Sequence, residues 1–223
     1  MTPRELVGMA AVPGGGELKL FRRGVDHTIV LDRNELMNSR MSGSEEALAT
    51  MTCERLAGRV APHLLIGGYG MGFTLRAALA VLGADARVTV AELVPGIVEW
   101  ARGPMADLTA GCLDDARVTL VEDDVAALIR AGRGAYDAIL LDVDNGPDGL
   151  TRAGNDRLYS ATGLAAAWGA LKVGGVLAVW SAGPDPRFSR RMGEAGFATQ
   201  EEVVRARSNG KGPRHVIWFG VRR

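Results

Sequence analysis

The stretch Leu64-Leu-Ile-Gly-Gly-Tyr-Gly-Met-Gly72, followed by Glu92 at the end of the next apolar run, decides the reading of this chain. An apolar run turns into a glycine cluster, and a helical pattern starts at Phe73. Gly68, Gly70 and Gly72 let the backbone turn tightly and lie close to a ligand. Glu92 closes the run Arg87-Val-Thr-Val-Ala-Glu92. A carboxylate at that place can accept hydrogen bonds from a ribose diol. The dinucleotide fingerprint is G-x-G-x-x-G, with a pyrophosphate at the helix N-terminus. Here the spacing is G-x-G-x-G. That form suits a nucleoside cofactor without a pyrophosphate, S-adenosylmethionine above all.

Working outward, strand and helix patterns alternate from His63 onward. Strands are expected at 63–66, 87–91, 117–121, 136–141 and 174–180, and helices at 73–83, 94–102, 124–131, 160–171 and 187–195. Alternation at this spacing implies right-handed βαβ units and a mostly parallel sheet. The runs Ala138–Leu141 and Val176–Trp180 are apolar without alternation, as in strands covered on both faces. Two later runs, Thr199–Ala206 and His215–Val221, predict an antiparallel hairpin of edge strands. The expected fold is α/β, class I methyltransferase-like (Rossmann-like). Residues 61–223 would form this nucleoside-binding domain.

Residues 1–60 would form a smaller N-terminal segment. The first 14 residues read as irregular, Glu17–Phe21 and Thr28–Leu31 as a β-hairpin, and a helix runs to about Gly58. Ser42-x-x-Glu45 matches a helix capping box.

Lys plus Arg equals Asp plus Glu at 26 each, so the net charge is zero. Without a basic stripe or aromatic-basic interleaving, no nucleic-acid partner is expected. No apolar run of about 18 residues predicts a membrane span. Arg4 and Glu5 interrupt the N-terminus before any apolar core, so the expected location is cytoplasmic. Cys53 and Cys112 make no metal motif, and His27, His63 and His215 have no ligand spacing, so no metal is expected.

In open α/β sheets, ligands bind beyond the carboxyl ends of the strands. The third core strand ends in Glu122-Asp-Asp124. Asp124, with Asp123 close behind, is the candidate acceptor for an adenine amine. The fourth ends in Asp142-Val-Asp-Asn-Gly-Pro147. Asp142 and Asp144 are the candidate catalytic carboxylates, able to attract a cationic amine, orient it and accept its proton. Asn155 and Tyr159 close the loop Asp148–Arg157 that follows. A small-molecule substrate would enter between residues 34–50 and 142–159.

Together these residues resemble the spermidine synthase family of aminopropyltransferases. The family's nucleotide loop falls on Gly68–Arg76, its ribose acid on Glu92, its adenine-binding turn on Asp123-Asp124 and its catalytic loop on Asp142–Pro147. The resemblance implies a small N-terminal β-structure and an amine-activating role for Asp142. Three departures stand out. The family's loop aspartate, which faces the donor's amino group, is Met71 here, and a thioether cannot balance an ammonium. The family's Tyr-His pair falls in Glu46–Thr50 and is absent. Arg40, in place of a family glutamine, would suit a carboxylate.

Losing an acid and gaining Arg40 favours intact S-adenosylmethionine, and methyl transfer to a small molecule is the expected reaction. Arg40, Glu46, Asn145 and Tyr159 are the candidate substrate residues. The alternatives are aminopropyl transfer from decarboxylated S-adenosylmethionine to a non-standard amine, and a non-catalytic nucleoside-binding module. A homodimer is compatible with the N-terminal hairpin.

Overall fold

The structure is a computed structural model that describes residues 2–143 and 157–223. Its centre is a seven-stranded sheet in the order β10-β11-β9-β8-β5-β6-β7. The parallel strands are β5 (His63–Gly67), β6 (Arg87–Ala91), β7 (Val118–Val121), β8 (Tyr136–Leu141) and β9 (Leu171–Ser181). The antiparallel end is β11 (Arg214–Arg222), paired on one side with β9 and on the other with β10 (Phe197–Arg205). β10 is therefore an edge, whereas β11 is interior, which corrects the expectation of two edge strands.

The crossover helices are α2 (Phe73–Val81), α3 (Pro95–Arg102), α5 (Val125–Ala131), α6 (Ala161–Ala170) and α7 (Pro186–Glu194), with a short α4 (Ala106–Thr109) after α3. All six residues of β8 are buried. Alternation sends Ala138 and Leu140 into one apolar layer and Ile139 and Leu141 into the other. That double burial is why the segment carries no polar alternation.

The N-terminal part holds more strand than the sequence suggests. β1 (Glu5–Ala11), β2 (Glu17–Arg23), β3 (Asp26–Leu31) and β4 (Asn34–Asn38) form a second, antiparallel sheet in sequential order. Residues 5–11 were expected to be irregular. They pair with β2 through a register shift between Leu6 and Gly8, which obscures the period of two. β1 lies on α3. A Cβ on Gly8 would meet the Trp100 indole at 2.3 Å, and one on Gly96 would meet the Ala10 Cβ at 2.4 Å. The two sheets share one apolar cluster, with Ala10, Leu18 and Leu20 from the first and Leu64, Leu140 and Phe219 from the second.

Helix α1 (Gly43–Arg55) packs against α2 and the sheet, burying Leu48 and Ala49. The expected capping box does not form: Ser42 makes no side-chain cap, and Glu45 bonds Ser44 instead. Docking of the chain entry explains this. The Gly43 amide donates to the Ala206 carbonyl at 2.9 Å, and a Cβ on Gly43 would lie 2.4 Å from the Arg207–Ser208 backbone. The helix start is thus held by the β10–β11 connection rather than by its own cap.

Candidate active site

Strand order reverses between β5 and β8, since β5 pairs with both β6 and β8. The glycine loop leaves β5 at this point. Gly68, Gly70 and Gly72 all have positive φ, at 81°, 55° and 76°. Gly68 is the tightest: a Cβ there would lie 2.7 Å from the Asp142 carbonyl oxygen. Gly72 starts α2 in the left-handed region with the Tyr69 hydroxyl against it.

Glu92 follows β6 and is buried. Its two carboxylate oxygens accept from the Tyr69 amide and the Val94 amide, both at 2.8 Å. Burial raises its carboxyl above the usual range, opposed by these backbone bonds. One acid therefore clamps the glycine loop to the turn before α3.

A cleft opens beside this clamp. Gly68, Gly70, Glu92, Asp123, Asp124 and Asp142 supply its polar wall. Val12, Leu18, Leu31 and Leu36 from the N-terminal sheet and Leu93, Val94 and Ile97 before and in α3 supply the apolar wall. Asp124 caps α5, accepting from the Ala126 amide at 2.8 Å, while Asp123 accepts from the Asp124 amide at 2.7 Å. Asp142 follows the last residue of β8; Thr74 Oγ1 donates to its Oδ2 at 2.7 Å.

The structure brings Gly68, Gly70, Glu92, Asp123, Asp124 and Asp142 to one cleft. The other expected residues that are described do not line it. Arg40 lies in a separate groove on the N-terminal sheet with Arg4, Arg22 and Glu35. It therefore offers no carboxylate contact in the cleft, and the argument for intact S-adenosylmethionine loses its cation. Tyr159 is buried, edge-on to Phe188, and its hydroxyl donates to the Val143 carbonyl at 3.1 Å. Glu46 is only partly buried, while its neighbour Glu45 is the acid buried near Asp142. Asp144 and Asn145 lie outside the described residues.

Met71 is fully buried in the core rather than in the cleft wall. The sequence reading missed Glu45, Thr74 and His215. For Thr74 and His215 the available signal was polarity in mostly apolar elements, whereas Glu45 sits in a helix of mixed polarity that gave none. Among the described residues, no helix is long and apolar enough to cross a membrane.

No family model matches the chain. A polyamine aminopropyltransferase of Mycobacterium tuberculosis is 35% identical over 127 residues, which is 56% of this chain and 23% of that protein. One of Corynebacterium efficiens is 30% identical over 168 residues, 74% of this chain and 31% of that protein. The chain thus spans less than a third of the curated relatives it matches. Among solved structures, a spermidine synthase in complex with the transition-state analogue AdoDATO superposes with a TM-score of 0.76 at 19% identity. That alignment covers 98% of this chain and 72% of the other. Spermidine synthase from Thermotoga maritima gives 0.75 at 18% identity, with the same coverage.

The relatives are named for aminopropyl transfer, so the expectation of methyl transfer is corrected. The inference had rested on Arg40 and on the missing acid at Met71, and neither residue faces the cleft. The chain is spermidine synthase-like, with the fold of the spermidine synthases and a stretch of sequence akin to the polyamine aminopropyltransferases.

Proposed function

We propose that the chain transfers an aminopropyl group from decarboxylated S-adenosylmethionine to a primary aliphatic amine. The observation that carries this reading is Asp142, a carboxylate on the cleft wall beside the glycine loop, oriented by Thr74. The sequence relatives supply the reaction class.

The cleft chemistry fits the nucleoside end of such a donor. The apolar wall of Val12, Leu18 and Ile97 would take the adenine faces, and Asp123 and Asp124 its polar edge. Each Glu92 oxygen keeps a lone pair after its amide bond, enough for a ribose diol. Gly68 and Gly70 leave room for close approach.

Asp142 would accept a hydrogen bond from the attacking amine and take its proton. The amine nitrogen forms a bond to the aminopropyl carbon as the carbon–sulfur bond breaks. The electron pair passes to sulfur, and methylthioadenosine leaves. The protein's contribution is orientation, desolvation and the proton acceptor.

The test is release of methylthioadenosine from decarboxylated S-adenosylmethionine with a panel of aliphatic diamines, followed by chromatography. Asp142→Asn should lower kcat by about 100-fold or more, the share of a positioned base, with methylthioadenosine affinity retained. No amine-dependent release by the wild type, or wild-type turnover by Asp142→Asn, would sink the reading.

A further inference from the structure

A second carboxylate stands near Asp142. Glu45, in the first turn of α1, is buried, and Ser44 Oγ donates to its Oε2 at 2.6 Å. That spends the one hydroxyl proton of Ser44. While Glu45 is ionised, Ser44 then accepts from His215 Nδ1, 2.9 Å away, with the proton of a neutral His215 on Nδ1. Thr74 joins the Asp142 carboxylate to the backbone of Glu45: its Oγ1 donates to Asp142 Oδ2 at 2.7 Å and lies 3.5 Å from the Glu45 carbonyl oxygen. Ser, His and Glu here do not make a nucleophilic triad, because fully buried Ser44 sits between the other two.

The charges around this pair are one-sided. Facing Glu45 are Ser44 and Glu46 on its own helix, Thr74 from α2, Asp142 beyond β8 and His215 from β11 through Ser44. Burial holds His215 below the usual imidazole range, so it stays neutral near pH 7. Among the described residues, neither Glu45 nor Asp142 forms an ion pair with a Lys or Arg. Burial, and then the charge of Asp142, pushes the Glu45 carboxyl up to about 8. Burial pushes Asp142 up to about 6. A buried carboxylate next to a partly buried one, with no paired cation among the described residues, favours holding a proton or receiving a positive charge.

We propose that Glu45 joins Asp142 as a two-carboxylate anchor for the ammonium of the acceptor amine, and that a proton held by the pair in the free protein is released when the amine binds. The identity of the ligand as an amine acceptor rests on the aminopropyl-transfer reading. In the exchange, a carboxyl O–H gives its proton to solvent and the ammonium takes over the neutralising role. Glu45 is thus a specificity-determining residue that favours a charged amine over a neutral or anionic acceptor. It supplies an acid from α1 where the nucleotide loop, with Met71 turned into the core, supplies none.

The test is calorimetry of 1,4-diaminobutane near neutral pH in two buffers of different ionisation heat. The wild type should release roughly one proton per amine bound. Glu45→Gln keeps the side-chain shape. It should weaken amine binding about tenfold or more, abolish the proton release and leave methylthioadenosine affinity unchanged. A folding defect would lower both affinities. Asp142→Asn, as a second variant, should also lose the release. The proposal is overturned if the wild type does not bind the diamine, binds it without releasing a proton, or is matched by Glu45→Gln. The turnover assay separates the two readings. Diamine binding with proton release but no methylthioadenosine formation overturns aminopropyl transfer and leaves the anchor. Turnover with an unchanged amine KM in Glu45→Gln overturns the anchor and leaves the transfer.

Discussion

Glu92→Gln tests the clamp between the glycine loop and α3. In the native protein, one carboxylate accepts from two backbone amides at 2.8 Å. A hydrogen bond to a charged acceptor contributes about 1.5–3 kcal/mol. The Gln oxygen can keep one of the two bonds. Its NH2 group must then face the other amide, donor against donor, in a site where Glu92 is 5% exposed. The expected loss is one charge-assisted bond, plus weakening of the bond that remains, about 2–4 kcal/mol in all. For a chain of this length that lowers Tm by roughly 5–15 °C. Thermal unfolding followed by circular dichroism, with urea titration to check that the slope is unchanged, reads the effect. Methylthioadenosine affinity should fall in parallel, since the same residue fixes the loop and fronts the cleft. A variant within about 0.5 kcal/mol of the wild type would refute the clamp, because surface substitutions alone account for that much.

Two further outcomes follow from buried side chains. Asp137, at the opposite end of β8 from Asp142, accepts from the His63 amide at 2.8 Å, Arg59 at 3.1 Å and Lys172 at 2.6 Å. Asp137→Ala should cost about 2–4 kcal/mol in urea unfolding, less than a fully buried pair because Arg59 and Lys172 reach solvent. Burial opposes ionisation of Asp137, but the Lys172 and His63 bonds with the nearby charges hold its carboxyl below the usual range. Its stabilisation is therefore present above about pH 4 and lost as pH falls through the lowered value, so wild type and Asp137→Ala should converge in acid. Met71→Asp, which restores the acid of related synthases, should cost about 3 kcal/mol or more by burying an unpaired carboxylate. It should also give no gain in amine affinity by calorimetry.

The end of the cleft proposed for the nucleoside was legible because its residues obey local rules. Gly68 and Gly70 must turn with positive φ, and Glu92, Asp123 and Asp124 must follow strands whose apolar runs are unmistakable. The amine end was not legible. Glu45 and Glu46 are equivalent in the sequence, and only the docking of α1 on α2 and the sheet decides which is buried. Ser42 looked like a helix cap because Ser-x-x-Glu is a local pattern, whereas the helix start is set by a contact with Ala206, far along the chain. Arg40 was assigned to the cleft by its alignment with a family glutamine. The bend after β4 places it in the groove with Arg4 and Glu35 instead. β1 escaped notice because its pairing shifts register near Gly8.

The hydrogen bond between Ser44 and His215 joins residues 171 positions apart. Among the described residues, the cleft itself is lined by none later in the chain than Val143. The two ends of the site therefore mature at different points of chain growth. A polypeptide growing from its N-terminus contains every described cleft residue before β11 exists, and the buried acid gains its last brace only when that strand pairs between β9 and β10. Closing so long a loop is slow. On the proposed reading, the nucleoside end of the cleft is thus encoded before the last brace of the amine end.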